Sequence, residues 1–137
     1  MLRLKTKIER IDGSASVEAI AIANSGFTGV EPEILIPPAI ARQLKLHEVG
    51  EPETFTKVTG DGRRVKFKGY KASGKVYIIT EDRVEGPVTS TILLSTRGRY
   101  LLFNDKLLGK LKIVLLDFGE GTWCFRDELG KKERKTL

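Results

Sequence analysis

The 137-residue chain has one cysteine, one histidine and one tryptophan, and the first two scarcities each remove a class of chemistry. A lone Cys124 has no partner for an internal disulfide, and its setting in "TWCF" reads as a core strand with an inert, buried thiol. With His47 as the single histidine there is no His/Cys cluster of zinc-binding spacing, and a Ser-His-Asp triad is disfavoured, so neither a metal nor a cofactor is expected. Long apolar runs are missing as well: nothing approaches the roughly 18 residues of a membrane span. The opening "MLRLKTKIER" alternates charges and holds no apolar stretch, which disfavours a secretory leader and points to the cytoplasm, with no membrane partner.

What is present describes one soluble globular domain, 31% charged and 40% apolar. The net charge of +6 is uneven, because "KKERK" at 131–135 carries four positive charges against one negative, half of the excess. The expected organisation is therefore a domain over residues 1–129 followed by a basic, solvated tail over residues 130–137.

Periodicity along the chain is that of strands. Leu2, Leu4 and Ile8 alternate with Arg3, Lys5 and Lys7 in a half-exposed strand, and "VEAIAIA" becomes apolar on both faces toward its end. "EILIPPAIARQLKL" reads as a short strand stopped by Pro37 and Pro38, then a helix of two to three turns with Ile40, Ala41 and Leu44 on one face. Asp61-Gly62 supplies turn chemistry for a hairpin in "PETFTKVTGDGRRVKFKGY", with Val65 and Phe67 on one side and Arg64, Lys66 and Lys68 on the other. "GKVYIIT" and "PVTSTILLS" are further strands, "NDKLLGKLK" is a short helix capped by Asn104, and "IVLLDFGEGTWCF" is a closing hairpin. About eight short strands, two short helices and no βαβ rhythm predict an all-β fold, a closed barrel or orthogonally packed β-structure.

One turn stands out. "IAIANSGFTG", residues 20–29, runs a doubly apolar strand into Asn24, Ser25 and Gly26, and is followed by the strand-proline-helix segment. This arrangement resembles the retropepsin-like aspartic proteases of clan AA, in particular their small prokaryotic members, whose motif is Asp-Thr/Ser-Gly. "VTGDGRRVKFKGYKASGKVYI" is similar to that family's flap hairpin and next strand. "LLFNDKLLGKLKIVLLDFGEGTWCF" is similar to its terminal hydrophobic-hydrophobic-Gly segment, short helix and closing strands. The likeness covers roughly Leu4 to Phe125.

The resemblance implies a retropepsin-like barrel, a two-fold homodimer, and one cleft in which two aspartates share a proton because adjacent like charges cannot both ionise. Carried over, Asn24 takes the catalytic aspartate position, Ser25 the hydroxyl that grips the opposite subunit, and Gly26 the position of close approach. Phe27, Thr28, Thr59, Gly60, Asp61, Gly62 and Arg63 would line the groove for an extended peptide. Two departures stand against activity: an amide cannot act as general base near pH 7, and Phe103 occupies the place of the motif's glycine.

Three accounts of Asn24 are open: a natural noncatalytic relative that binds extended peptides, an active aspartic endopeptidase carrying an Asp-to-Asn substitution, or an ordinary turn residue in an unrelated β-protein. Within the last, "ILIPPAIARQLKLHEVGE" also resembles AbrB-like swapped-hairpin DNA binders. Scattered basic residues and the lack of an interleaved aromatic platform disfavour a nucleic-acid partner.

Overall fold

The computed structural model describes residues 1–23 and 27–137. Ten strands are present among them, β1 (Arg3–Arg10), β2 (Ser16–Ile22), β3 (Glu33–Ile36), β4 (Glu53–Val58), β5 (Arg64–Ile79), β6 (Val84–Leu94), β7 (Leu101–Phe103), β8 (Ile113–Asp117), β9 (Thr122–Phe125) and β10 (Arg134–Lys135), with helices α1 (Pro38–Gln43) and α2 (Asp105–Lys110). The large sheet runs β1-β2-β7-β3-β6-β5-β4, and pairing of β1 with β5 closes six of these strands into a barrel. β4 hangs outside the closure as the outer strand of a hairpin. A second sheet, β10-β9-β8, lies beside the barrel.

The alternation read in the sequence places the core. Leu2, Leu4 and Ile8 point inward from the β1 segment, meeting Ile34 and Ile36 of β3, Val76 and Ile78 of β5, Ile92 of β6, and Leu101 and Phe103 of β7. Arg10, at the end of the same face, is also buried. Its guanidinium donates to the Leu44 and Lys45 carbonyls at 3.4 and 3.2 Å and to carboxylates of Glu48 and Asp12 at 2.7 and 2.6 Å. The cation thus occupies the C-terminal end of α1, where the last carbonyls of a helix lack intrahelical donors. α1 is shorter than expected, because Lys45 turns into the left-handed region at φ 52° and the chain continues as a single 3₁₀ turn, Leu46–Glu48.

Three further expectations need adjustment. The second flap strand and "GKVYIIT" form one strand, β5, of 16 residues. A register shift between Tyr70 and Gly74 bends it without ending it; there Ala72 takes φ 48° and donates its amide to Thr91 Oγ1 at 3.1 Å. The segment Leu101–Phe103, expected only as part of the terminal motif, is a strand inserted between β2 and β3, parallel to the first and antiparallel to the second.

The C-terminal residues are largely exposed but are paired to the domain rather than forming a free tail. Arg134 and Lys135 pair with Trp123 and Thr122, Thr136 donates its amide to Gly121, and Leu137 donates to Arg3. The strap is held because the Arg134 guanidinium sits between Glu128 (2.7 Å) and Asp82 (2.7 Å) and lies over the Phe125 and Trp123 rings. Arg83 covers the same Phe125 ring at 4.2 Å and pairs with Glu85 and Asp127, so the ion network joins the small sheet to the β5–β6 hairpin. Arg134 holds the Glu128 carboxyl down at about 2, helped by the Phe125 amide. No helix among the described residues is long and apolar enough to cross a membrane.

Candidate functional site

The site begins where β2 ends. Ala23 is buried and donates its amide to Leu2, and the chain then enters Asn24, Ser25 and Gly26, which lie outside the described residues. The catalytic assignments from the sequence therefore fall outside them too. What the structure defines is the surroundings of the described residues on either side, Ala23 and Phe27 onward.

Across the barrel at this point, Ile22 is the partner of Leu102, Leu102 of Leu35, and Leu35 of Leu93. Their sequence neighbours Ala21, Leu101, Phe103, Ile34, Ile36 and Ile92 belong to the interior, so this row lies on the outer face. One pleat farther along β3 and β7, the same face carries Glu33 and Asn104.

Asn104 is a fully enclosed hub. Its Oδ1 accepts from the Glu33 amide at 2.9 Å and from the Leu107 amide at 3.0 Å, which caps α2. Its Nδ2 donates to the Glu31 carbonyl at 2.9 Å and to Glu33 Oε1 at 3.1 Å. Every donor and acceptor of the amide is matched, as a buried polar side chain requires.

Glu33 is 2% exposed, and its other carboxylate oxygen accepts from Lys57 Nζ at 2.5 Å. Lys57 belongs to β4, so this contact reaches from the hairpin down to the barrel. The loop after the turn closes on the same place: the Gly29 amide donates to Asp105 Oδ1 at 3.1 Å, and a Cβ at Gly29 would come within 2.5 Å of Glu33 Oε1 and 2.8 Å of Asn104 Nδ2. Only a residue without a side chain fits between the carboxylate and the amide.

The expected groove residues divide. Phe27 is half-buried and Thr28 exposed, in the loop leading to Gly29. Thr59, Gly60, Asp61, Gly62 and Arg63 form the hairpin tip and bond mainly to one another: the Thr59 hydroxyl to Asp61, Arg63 Nε to Asp61 Oδ2 at 2.7 Å, and the Gly62 amide to the Thr59 carbonyl. The Thr59 hydroxyl, then the Arg63 side chain, keep the Asp61 carboxyl below its ordinary range. Gly62 takes φ 85°, as the Asp-Gly turn demands.

Sequence reasoning missed Glu33 and Lys57 and read Asn104 only as a cap. The available signal was weak: a single acid opening the otherwise aliphatic "EILI", and a lysine on the Phe55 side of its strand rather than the solvent side.

Chemically, these groups anchor rather than react. The Glu33 carboxylate is committed to an ammonium and an amide, and Asn24 is itself neutral, so neither of these two side chains is available as a general base. His47 is exposed in its 3₁₀ turn, and no group of three metal-ligating side chains occurs among the described residues. Cys124 is buried, and burial pushes its thiol up. A separate concavity of about 340 Å³, bordered by Arg3, Trp123 and Lys135, lies between β1 and the C-terminal strap and shares no residue with the Glu33 cluster. No family model, curated protein or solved structure matches the chain.

Proposed function

We propose that this chain is a noncatalytic homologue of the retropepsin-like aspartic proteases, binding extended peptides in a cleft that a second copy completes. The observation that carries the reading is the insertion of β7 between β2 and β3. This knits "LLFND" to the strand that runs into Asn24-Ser25-Gly26, so the two sequence segments bearing the resemblance are neighbours in space although about 75 residues apart. The hairpin tethered over the same region by Lys57 supports a covered groove. A strand-like ligand would be held there by main-chain hydrogen bonds and side-chain pockets rather than by chemistry.

A two-fold dimer follows from the same reading, since a C2 interface brings identical turns together. With Asn24 in both copies, the pair holds no proton acceptor. The second reading, an active endopeptidase bearing an Asp-to-Asn substitution, shares every other element. The nucleic-acid reading has less support, because Arg134 and Lys132 of the basic segment are paired with acids within the chain.

The test is digestion of a denatured protein across acidic to neutral pH, followed by mass spectrometry, with the chain as given and with Asn24→Asp and Asn24→Ala. The expected result is cleavage by Asn24→Asp alone, strongest where one carboxylate is charged and its partner neutral. Cleavage by the original chain that survives Asn24→Ala would remove Asn24 from any catalytic position. An inactive but dimeric Asn24→Asp variant would remove the endopeptidase reading and leave peptide binding.

A further inference from the structure

Among the described residues, the outer part of the β4–β5 hairpin has one side-chain hydrogen bond to the rest of the chain. Within residues 54–67, Thr59, Asp61 and Arg63 bond to each other, and Thr54 accepts from Lys68 inside the hairpin. Backbone pairing of β5 with β6 starts only at Lys68, opposite Leu94. The exception is Lys57, which reaches Glu33 on the barrel. It stands one residue from the end of β4, close to the tip, where leverage on the hairpin is greatest.

We propose that the Lys57–Glu33 pair is a latch that holds the hairpin closed on the barrel. Its partner side is rigid: Glu33 is fixed by Asn104, and Asn104 by the Glu33 amide, the Glu31 carbonyl and the first turn of α2. Its moving side is a lysine on a strand with one free edge. Both charged groups are largely shielded, the Lys57 side chain 13% exposed and that of Glu33 3% exposed, so salt screens the pair far less than a surface pair. Opening the hairpin breaks this contact and hydrates both charges. Because Gly29 packs against Glu33 and Asn104, release of the latch also loosens the wall on which the loop after residues 24–26 rests. Lys57 and Glu33 are thus positioning residues for the hairpin. The inference concerns the hairpin itself and stands whether or not the cleft takes peptides.

Hydrogen-exchange mass spectrometry on the whole chain tests it, comparing peptides spanning 54–66 with peptides from β1 and β6. In the unaltered chain, the hairpin amides of Phe55 and Lys57, which face β5, are expected to be protected. Exchange there at the unprotected rate would overturn the latch without any variant. A charge-assisted hydrogen bond of this kind corresponds to a roughly tenfold to hundredfold change in opening. Lys57→Met and the isosteric Glu33→Gln should each speed exchange in 54–66 by about that factor, with β1 unchanged, while Lys57→Arg retains protection. Equal acceleration in β1 and the hairpin would mean general destabilisation and would overturn a local latch. So would unchanged hairpin exchange in Glu33→Gln.

Discussion

Replacing Phe103 is the sharpest test of how this barrel is packed. Phe103 ends β7, is completely enclosed and lies opposite Ile34, in the position where the resembled terminal motif has glycine. If the ring fills the interior between β2 and β3, its removal leaves a void that a three-residue strand cannot close over. A buried aromatic side chain covers roughly 150–250 Å². At about 25 cal/mol per Å² that is about 4–6 kcal/mol, an upper bound since the unfolded chain is not fully extended. Measured Phe-to-Ala costs of about 3–5 kcal/mol agree. Phe103→Ala should therefore lose about 3–5 kcal/mol, and Phe103→Gly a further 0.5–1 kcal/mol or so from the backbone freedom of glycine in a strand.

Against a domain stability of about 5–15 kcal/mol, this is a large share. It should lower Tm by roughly 10–20 °C in a chain of this size. Trp123 is the single tryptophan and is 3% exposed, so its fluorescence reports urea unfolding directly. The expected change is a lower midpoint at constant slope. A loss under about 1 kcal/mol for both variants would show that glycine suits this position after all, and would refute the account of the ring as a core element.

Four other outcomes are expected. Glu128 has its carboxyl pKa lowered from 4.5 to about 2, so its pairing with Arg134 contributes stability above pH 4.5 that is lost as pH falls toward 2; Glu128→Gln should flatten the stability–pH curve across that window in acid titrations followed by circular dichroism. Gly29→Ala should destabilise the chain by about 1–3 kcal/mol in urea titrations, because its Cβ forces Glu33 and Asn104 apart and leaves buried polar atoms unmatched. Light scattering at high protein concentration should give the mass of two chains; a monomer throughout would remove the shared cleft. Cys124 should resist a thiol reagent in the native state and react on unfolding; rapid labelling of the folded protein would contradict its burial.

Much of the fold was legible because it depends on local rules. Leu2, Leu4 and Ile8 fixed the inner face of β1 through the two-residue period of a strand, Asp61-Gly62 fixed a hairpin through its turn chemistry, and Asn104 announced the start of α2. Arg134 was misread for the opposite reason. Its charge run suggests solvent, whereas the guanidinium finds Glu128, Asp82 and two aromatic rings, partners that local sequence pattern does not identify.

The candidate site shows the same division. The sequence by itself determined that an apolar strand leads up to the Asn24 segment, that Asn24 is neutral, and that a glycine-tipped hairpin follows. Only the tertiary structure decided that Glu33, Lys57 and Asn104 meet. They come from three segments, and each side chain alone obeys an ordinary local preference: an acid at a strand start, a lysine near a strand end, an asparagine at a helix cap. Their meeting is set by the insertion of β7 beside β3 and by the hairpin lying against the barrel. The burial of Glu33 is tolerable because Lys57 and Asn104 arrive together to match its charge and lone pairs, a condition no single stretch of chain can satisfy.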